Sequence, residues 1–266
     1  MSSAAQFTGS VPERYHRYLA PWLFDPYATD LSARLPQRPG LRVLEIAAGT
    51  GVVTRRLLEA LPSDAVLVAT DLNDAMVDYG RANVPDPGVT WQQADAQALP
   101  FADDSFDVVV CQFGFMFLPD KVKGFREARR VLSAGGVLLC NVWHSRDENP
   151  VARIVQDLLE ERLPQNPPRF LDTPYGYGDH ERLRADLAAA GWDDVQLDVV
   201  RKISNAASAE DVALGYLTGS PLSYELSERG ADPDAFGVEL ARRLASAGGN
   251  RPFRAELAAT VITASR

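Results

Sequence analysis

The run Val43-Leu44-Glu45-Ile46-Ala47-Ala48-Gly49-Thr50-Gly51-Val52-Val53-Thr54 decides how the rest of the chain reads. It opens as a short apolar segment, passes through small residues and continues with Val53, Leu57 and Leu61 at four-residue spacing. Such an apolar run marks a buried parallel strand, and apolar residues four apart mark one face of a helix. Gly49 and Gly51 carry no Cβ, so the backbone between strand and helix can approach a ligand closely. The first helical amides then point toward an anionic group on that ligand. A dinucleotide-binding turn wants a third glycine or alanine where this chain has Thr54, which weighs against that ligand.

Working outward, Ala65–Thr70 is an apolar strand that ends at Asp71, 26 residues after Glu45. An acidic residue about 20 positions on is where a carboxylate meets ribose hydroxyls. Both vicinal hydroxyls donate and a carboxylate accepts, so the pairing is chemically sound. Asn73 is the better N-cap for the helix starting near Asp74, and Met76 lies one turn into it. Val89-Thr90-Trp91 forms a third strand, followed by Gln93-Ala94-Asp95-Ala96-Gln97-Ala98-Leu99-Pro100-Phe101. Asp103-Asp104-Ser105-Phe106-Asp107 is a polar turn that feeds a fourth buried strand, ending around Cys111–Phe117.

Glu45-x-Ala47-x-Gly49-x-Gly51 resembles the E/D-x-G-x-G-x-G signature of class I S-adenosylmethionine-dependent methyltransferases, with Ala47 in place of the first glycine. An alanine methyl leaves room for the amino-acid end of the ligand if its backbone angles are ordinary. The segment around Asp95 resembles the family's D-A-x-x-L-P-F, and A-L-P-F-x-D-x-S-F-D is the most specific match in the chain. Arg130-Val131-Leu132 with Gly135-Gly136 resembles R-V-L-x-x-G-G, read as a helix with a glycine stop before strand five at Val137–Val142. Phe7-x-Gly9-Ser10-Val11-Pro12-Glu13-x-Tyr15-x-x-Tyr18-Leu19 is similar to the opening of bacterial members. The resemblance is to ubiquinone/menaquinone-type and small-molecule methyltransferases, and it covers roughly residues 40–145.

That resemblance implies an α/β fold: a doubly wound, seven-stranded Rossmann-like sheet in the order 3-2-1-4-5-7-6, with helical cap insertions. It implies S-adenosyl-L-methionine as cofactor, contacted by Tyr18, Glu45, Ala47, Gly49, Gly51, Leu72 and Gln112. Asp71 would take the ribose, Met76 the purine, Asp95 the adenine amino group and the Ala96 amide a ring nitrogen.

The remaining segments read as a cap. Residues 1–40 form an N-terminal arm, a helix broken by Pro21 and a second near Tyr27–Leu35; the methyltransferase domain spans 41–266. Insertions are expected at about 146–178, a helix and then a Pro/Gly/Tyr-rich loop, and at about 205–250, helical with breaks near Gly219 and Gly230. Phe253–Ala264 alternates as a closing antiparallel strand. Tyr15 and Trp22 from the arm, Phe113 and Phe115 after strand four, Trp143, and Tyr175 and Tyr177 form the expected acceptor pocket. His144, at the rim of strand five, is the candidate general base.

Composition narrows the partners. A net charge of −9 with no basic run excludes a broad nucleic-acid-binding surface. No stretch is long and apolar enough to span a bilayer, and the first twenty residues lack the apolar core of a secretory signal. Two cysteines with no metal-type spacing fit a reducing compartment and no metal site, so a cytoplasmic monomer or homodimer is expected. The acceptor is then a small, planar, weakly charged molecule, since enclosed pockets are apolar and aromatic with few polar groups. A catalytically idle cofactor-binding scaffold is the alternative. A nicotinamide dehydrogenase is disfavoured further by the lack of a Tyr-x-x-x-Lys pair.

Overall fold

The computed structural model describes residues 11–266. The resemblance carried by Phe7, Gly9 and Ser10 lies outside the described residues.

Seven strands form one sheet: β1 (Arg42–Ile46), β2 (Val66–Asp71), β3 (Val89–Gln93), β4 (Phe106–Gln112), β5 (Leu132–Trp143), β6 (Asp194–Ala206) and β7 (Phe253–Ser265). Their order is β3-β2-β1-β4-β5-β7-β6, and only β7 runs antiparallel to its neighbours. Strand order reverses between β1 and β4, so a crevice opens at their carboxyl ends. The pleat sends Leu44, Val109 and Leu138 to one layer and Val43, Val108 and Leu139 to the other. Both faces are covered, which is why the central strands are continuous apolar runs.

Helix α3 (Val52–Ala60) starts at Gly51, whose φ of +84° would strain any side chain there. Helix α4 (Asp74–Asn83) is capped by Asn73, whose side chain accepts from the Ala75 amide. Pro21 does not end the arm. Helix α1 (Val11–Tyr18) passes into a π-helical stretch (Ala20–Phe24) and then into α2 (Asp25–Ala33). Pro21 has no amide to donate, and the wider turn accommodates that gap. Helix α5 (Lys121–Val131) also departs from expectation, ending before the glycine pair. Leu132 turns extended and pairs with Phe106, so residues 132–136 join β5 through a shift in register.

The chain between and beyond β5 and β6 supplies α6 (Pro150–Arg162), α7 (Asp172–Tyr175), α8 (His180–Ala189), α9 (Ala209–Thr218), α10 (Leu222–Glu228) and α11 (Pro233–Gly248). Helix α9 packs on both α1 and α11, while α7 sits against β5 and the 3-10 turn Phe115–Phe117. Segments far apart in sequence therefore meet above the crevice. No helix among the described residues is long and apolar enough to cross a membrane.

Candidate active site

One cavity of about 450 Å³ opens at the carboxyl ends of β1, β2 and β4 and runs beneath the cap. Its first half is built by three successive strand ends. Ala47 and Gly49 follow β1, Asp71 closes β2, and Leu72 and Met76 line the wall leading into α4. Leu72 is 46% exposed, an apolar rim residue with free surface to offer a flat ring. Asp95 and Ala96, just after β3, complete this half.

Asp71 organises the turn as well as facing the cavity. Its Oδ2 accepts from the Gly49 amide at 2.9 Å and its Oδ1 from the Asn73 amide at 3.0 Å. Burial raises its pKa and these amides oppose the rise. Each carboxylate oxygen has a second lone pair, so ribose hydroxyls can still be accepted. Asp95 is held by its own Asx turn, its Oδ1 taking the Gln97 amide at 2.8 Å.

Ala47 does not have ordinary backbone angles. Its φ is +56°, in the left-handed region that costs a non-glycine residue roughly 1–2 kcal/mol. Phe113, at the mouth of β4, has a φ of +53°, and its amide is held by the Asn141 carbonyl at 3.1 Å and side-chain oxygen at 3.0 Å. Gly114 bridges the two strained positions: a Cβ there would come within 2.6 Å of both Ala47 Cβ and Cys111 Sγ. Strain at both ends of one crevice is a mark of a site whose backbone is placed for a ligand.

Glu45 does not reach the cavity. It is buried behind the turn and accepts from the Thr54 hydroxyl at 2.6 Å. Burial pushes its pKa up to about 8, the Thr54 bond opposes this, and the charge of Asp71 adds to it. Gly51 is also outside, because its open side faces Val84 and Trp91. Glu45 and Gly51 shape the turn from behind.

The second half of the cavity is aromatic. Phe113 and Trp143 stack with centroids 3.8 Å apart, Tyr175 lies 5.9 Å beyond Trp143, and Tyr15 stacks on Phe24 at 4.9 Å. Phe115 and Gln112 also line it. Gln112 donates through Nε2 to the Phe24 carbonyl at 3.1 Å, while its buried Oε1 has no partner in the protein. Tyr216 lines it as well, and burial pushes its phenol up to about 12. Cys111 lines the cavity too, but burial raises its thiol to about 12, so it presents no thiolate.

Four expected residues face elsewhere. His144 follows Trp143, and successive strand side chains point to opposite sides. Its Nδ1 lies 3.2 Å from Thr260 Oγ1 and its Nε2 3.4 Å from Glu148 Oε1, away from the cavity. Tyr177 donates to Asp186 at 2.7 Å, with Lys121 and Arg182 over its ring. Trp22 donates to the Tyr18 carbonyl at 2.9 Å and meets the Phe253 ring at right angles. Tyr18 lies beneath the Arg17 guanidinium. The arm's cavity face is Tyr15, Leu19 and Leu23, spaced four apart, which puts Tyr18 and Trp22 on the neighbouring stripe.

The methyltransferase domain family matches residues 44–140, which hold every residue of the first half. The chain is 38% identical over 130 residues to the ubiquinone/menaquinone biosynthesis C-methyltransferase UbiE of Shewanella oneidensis, across 47% of this chain and 51% of that one. Residues 44–140 carry a methyltransferase domain of the class I S-adenosylmethionine-dependent type. The chain spans about half the length of the curated relatives it matches. Two solved structures show the same fold. Haemonchus contortus phosphoethanolamine N-methyltransferase 2, in complex with S-adenosyl-L-methionine, superposes with a TM-score of 0.61 at 18% identity, covering 98% of this chain and 58% of that one. The [4+2]-cyclase SpnF superposes with a TM-score of 0.55 at 17% identity, covering 91% and 80%.

S-adenosylmethionine is the cofactor of this family. The cavity suits it chemically: carboxylates where hydroxyl and amino groups need acceptors, an apolar strip between them, and a glycine turn open to a close approach.

Proposed function

We propose that this chain transfers a methyl group from S-adenosylmethionine to a small, uncharged aromatic or planar molecule enclosed beneath the cap. The observation that carries this reading is the continuity of the cavity, from Asp71 and Asp95 at one end to Trp143, Tyr175 and Phe24 at the other. The cofactor would be held by Ala47, Gly49, Asp71, Leu72, Met76, Asp95 and Ala96, with Gln112 at its reactive end. It supplies a methyl carbon already activated by the adjoining sulfonium.

The protein's part is placement. Aromatic walls orient a flat acceptor and exclude water, and aligning two reactants can supply about 7–11 kcal/mol of a barrier. Asp71 and Asp95 are the charged side chains among the lining residues, and both sit in the cofactor half. A protein acceptor would want an open groove and an ionic acceptor a counter-charge. With His144 turned away, the acceptor must bring its own nucleophilicity, as an electron-rich carbon, an acidic hydroxyl or an amine does. The relatives' name, C-methyltransferase, favours carbon.

Titration calorimetry with S-adenosylhomocysteine and mass spectrometry of ligands carried through purification test the reading. Binding of the demethylated cofactor and label transfer from methyl-labelled S-adenosylmethionine to a small aromatic support it. Absence of cofactor binding sinks it. Binding without transfer to any acceptor would leave a cofactor-holding scaffold, or an enzyme of a different reaction on the same fold, as the [4+2]-cyclase SpnF is.

A further inference from the structure

Within β5 sits a buried polar residue that packing alone does not ask for. Asn141 is 0% exposed, and its neighbours Leu139, Cys140, Val142 and Trp143 are buried and apolar. It lies in register with Gln112 on β4 and with Val261 on β7. Its side-chain oxygen accepts from the Phe113 amide at 3.0 Å, and its own backbone carbonyl accepts from the same amide at 3.1 Å. The side chain's orientation is thereby fixed, since a flipped amide would set one N–H against another. Its Nδ2 is left buried with no partner among the described residues. A leucine has the same branched shape, would leave no orphaned donor and suits a strand buried on both faces. An unsatisfied group in a core needs a reason, and here the reason stands at the other end of the bond.

Phe113 is the first residue past β4, and its φ of +53° is one that a bulky side chain avoids. The angle sets the direction of the Cα–Cβ bond, so a return to negative φ would swing the ring off its seat. That seat is Trp143, two positions beyond Asn141 on β5, stacked on Phe113 at 3.8 Å and 8°. One strand therefore grips Phe113 twice, at the amide through Asn141 and at the ring through Trp143. Tyr27 meets both rings nearly at right angles, at 5.5 and 5.4 Å.

We propose that Asn141 is a positioning residue for the methyl acceptor. Its side chain holds Phe113 in the left-handed conformation that lays the ring on Trp143 and so shapes the wall of the acceptor half. The inference rests on the methyl-transfer reading and adds to it a residue outside the cavity lining that governs how a flat acceptor fits. Asn141 acts only through Phe113.

The test compares N141L, F113A and the double variant, with 2-naphthol as the probe. Calorimetry reads the affinity for S-adenosylhomocysteine, then that for 2-naphthol with S-adenosylhomocysteine saturating. N141L should weaken 2-naphthol by about threefold to tenfold, the worth of one neutral hydrogen bond, and leave S-adenosylhomocysteine affinity at the wild-type value. In the F113A background N141L should change 2-naphthol affinity no further, because the ring it positions is gone. A general loosening of the sheet would weaken the probe equally in both backgrounds, and that result overturns the assignment. So does an N141L variant that binds 2-naphthol as the wild type does, or one that loses cofactor affinity by the same factor. If N141L does not fold, N141A carries the comparison. Failure of both to fold overturns the proposal, since the sheet itself would then require Asn141. Absence of 2-naphthol binding in the wild type removes the flat-acceptor reading and this inference with it. Failure of S-adenosylhomocysteine to bind would instead count against the methyl-transfer reading itself.

Discussion

The two halves of the cavity are built in different ways. The proposed cofactor half comes from residues 47–96, where each contribution is a short local device: a left-handed turn, an Asx turn, a carboxylate at a strand's last position. The proposed acceptor half joins Tyr15, Phe24, Phe113, Trp143, Tyr175 and Tyr216, from five separate segments across two hundred residues. A half made of local turns can stay the same while the other half is re-lined by exchanging single residues on cap helices. The same fold is found in an N-methyltransferase and in a cyclase.

The largest effect is expected in the acceptor half. Trp143 is 2% exposed and stacked between Phe113 and Tyr175, so Trp143→Ala should destabilise by about 3–5 kcal/mol in thermal unfolding. The folded variant should still bind S-adenosylhomocysteine near wild-type affinity. If cofactor affinity collapses with it, the two halves are not separable.

Next comes Asp71→Ala. It removes the acceptor of two turn amides and the acceptors proposed for the ribose. Cofactor affinity should fall by about 1.5–3 kcal/mol, roughly 10- to 150-fold by calorimetry, with the acceptor-half aromatics undisturbed. Unchanged affinity would remove the ribose assignment.

Ala47→Gly should act in the opposite direction. Relief of the left-handed alanine, less the entropy a glycine adds to the unfolded chain, leaves a gain of up to about 1 kcal/mol, or about 2–4 °C in Tm. A lower Tm would show that the Ala47 methyl packs usefully despite its backbone.

The remaining effects are those of pH, and they differ in sign between regions. Glu45, behind the cofactor half, keeps its proton in the folded chain to about pH 8 instead of the ordinary 4.5. Its stabilisation is full below pH 4.5 and is lost as pH rises to about 8. His180, beside Thr260 and His144 under the cap, is held below its ordinary 6.5 by burial and by the charges of His144 and Arg184. Its contribution is present above pH 6.5 and is lost as pH falls through the lowered value. Glu45→Gln should flatten the alkaline slope of ligand-free stability and His180→Asn the acidic one. Unaltered slopes would mean that other groups set them.

Asn73 as a helix cap, the breaks near Gly219 and Gly230 and the closing strand were legible in the sequence through period, turn residues and capping, which act within a few positions, while the sheet order followed from the family resemblance. The stretch 44–140 announced its family for the same reason. Tertiary structure alone decided which aromatics face the cavity. Tyr15 and Tyr18 look equivalent as letters, but the helical phase through the π-helical stretch turns Leu19 and Leu23 inward with Tyr15 and leaves Tyr18 and Trp22 on the flank. Trp143 and His144 are adjacent, and the pleat separates them. Tyr216 carried no signal, because a buried phenol in an apolar helix resembles packing until the fold brings it to the cavity wall. Local rules set the elements and the turns that hold a cofactor. The chamber for the acceptor exists only after distant helices are packed, since burial and hydrogen-bond partners are properties of the assembled chain.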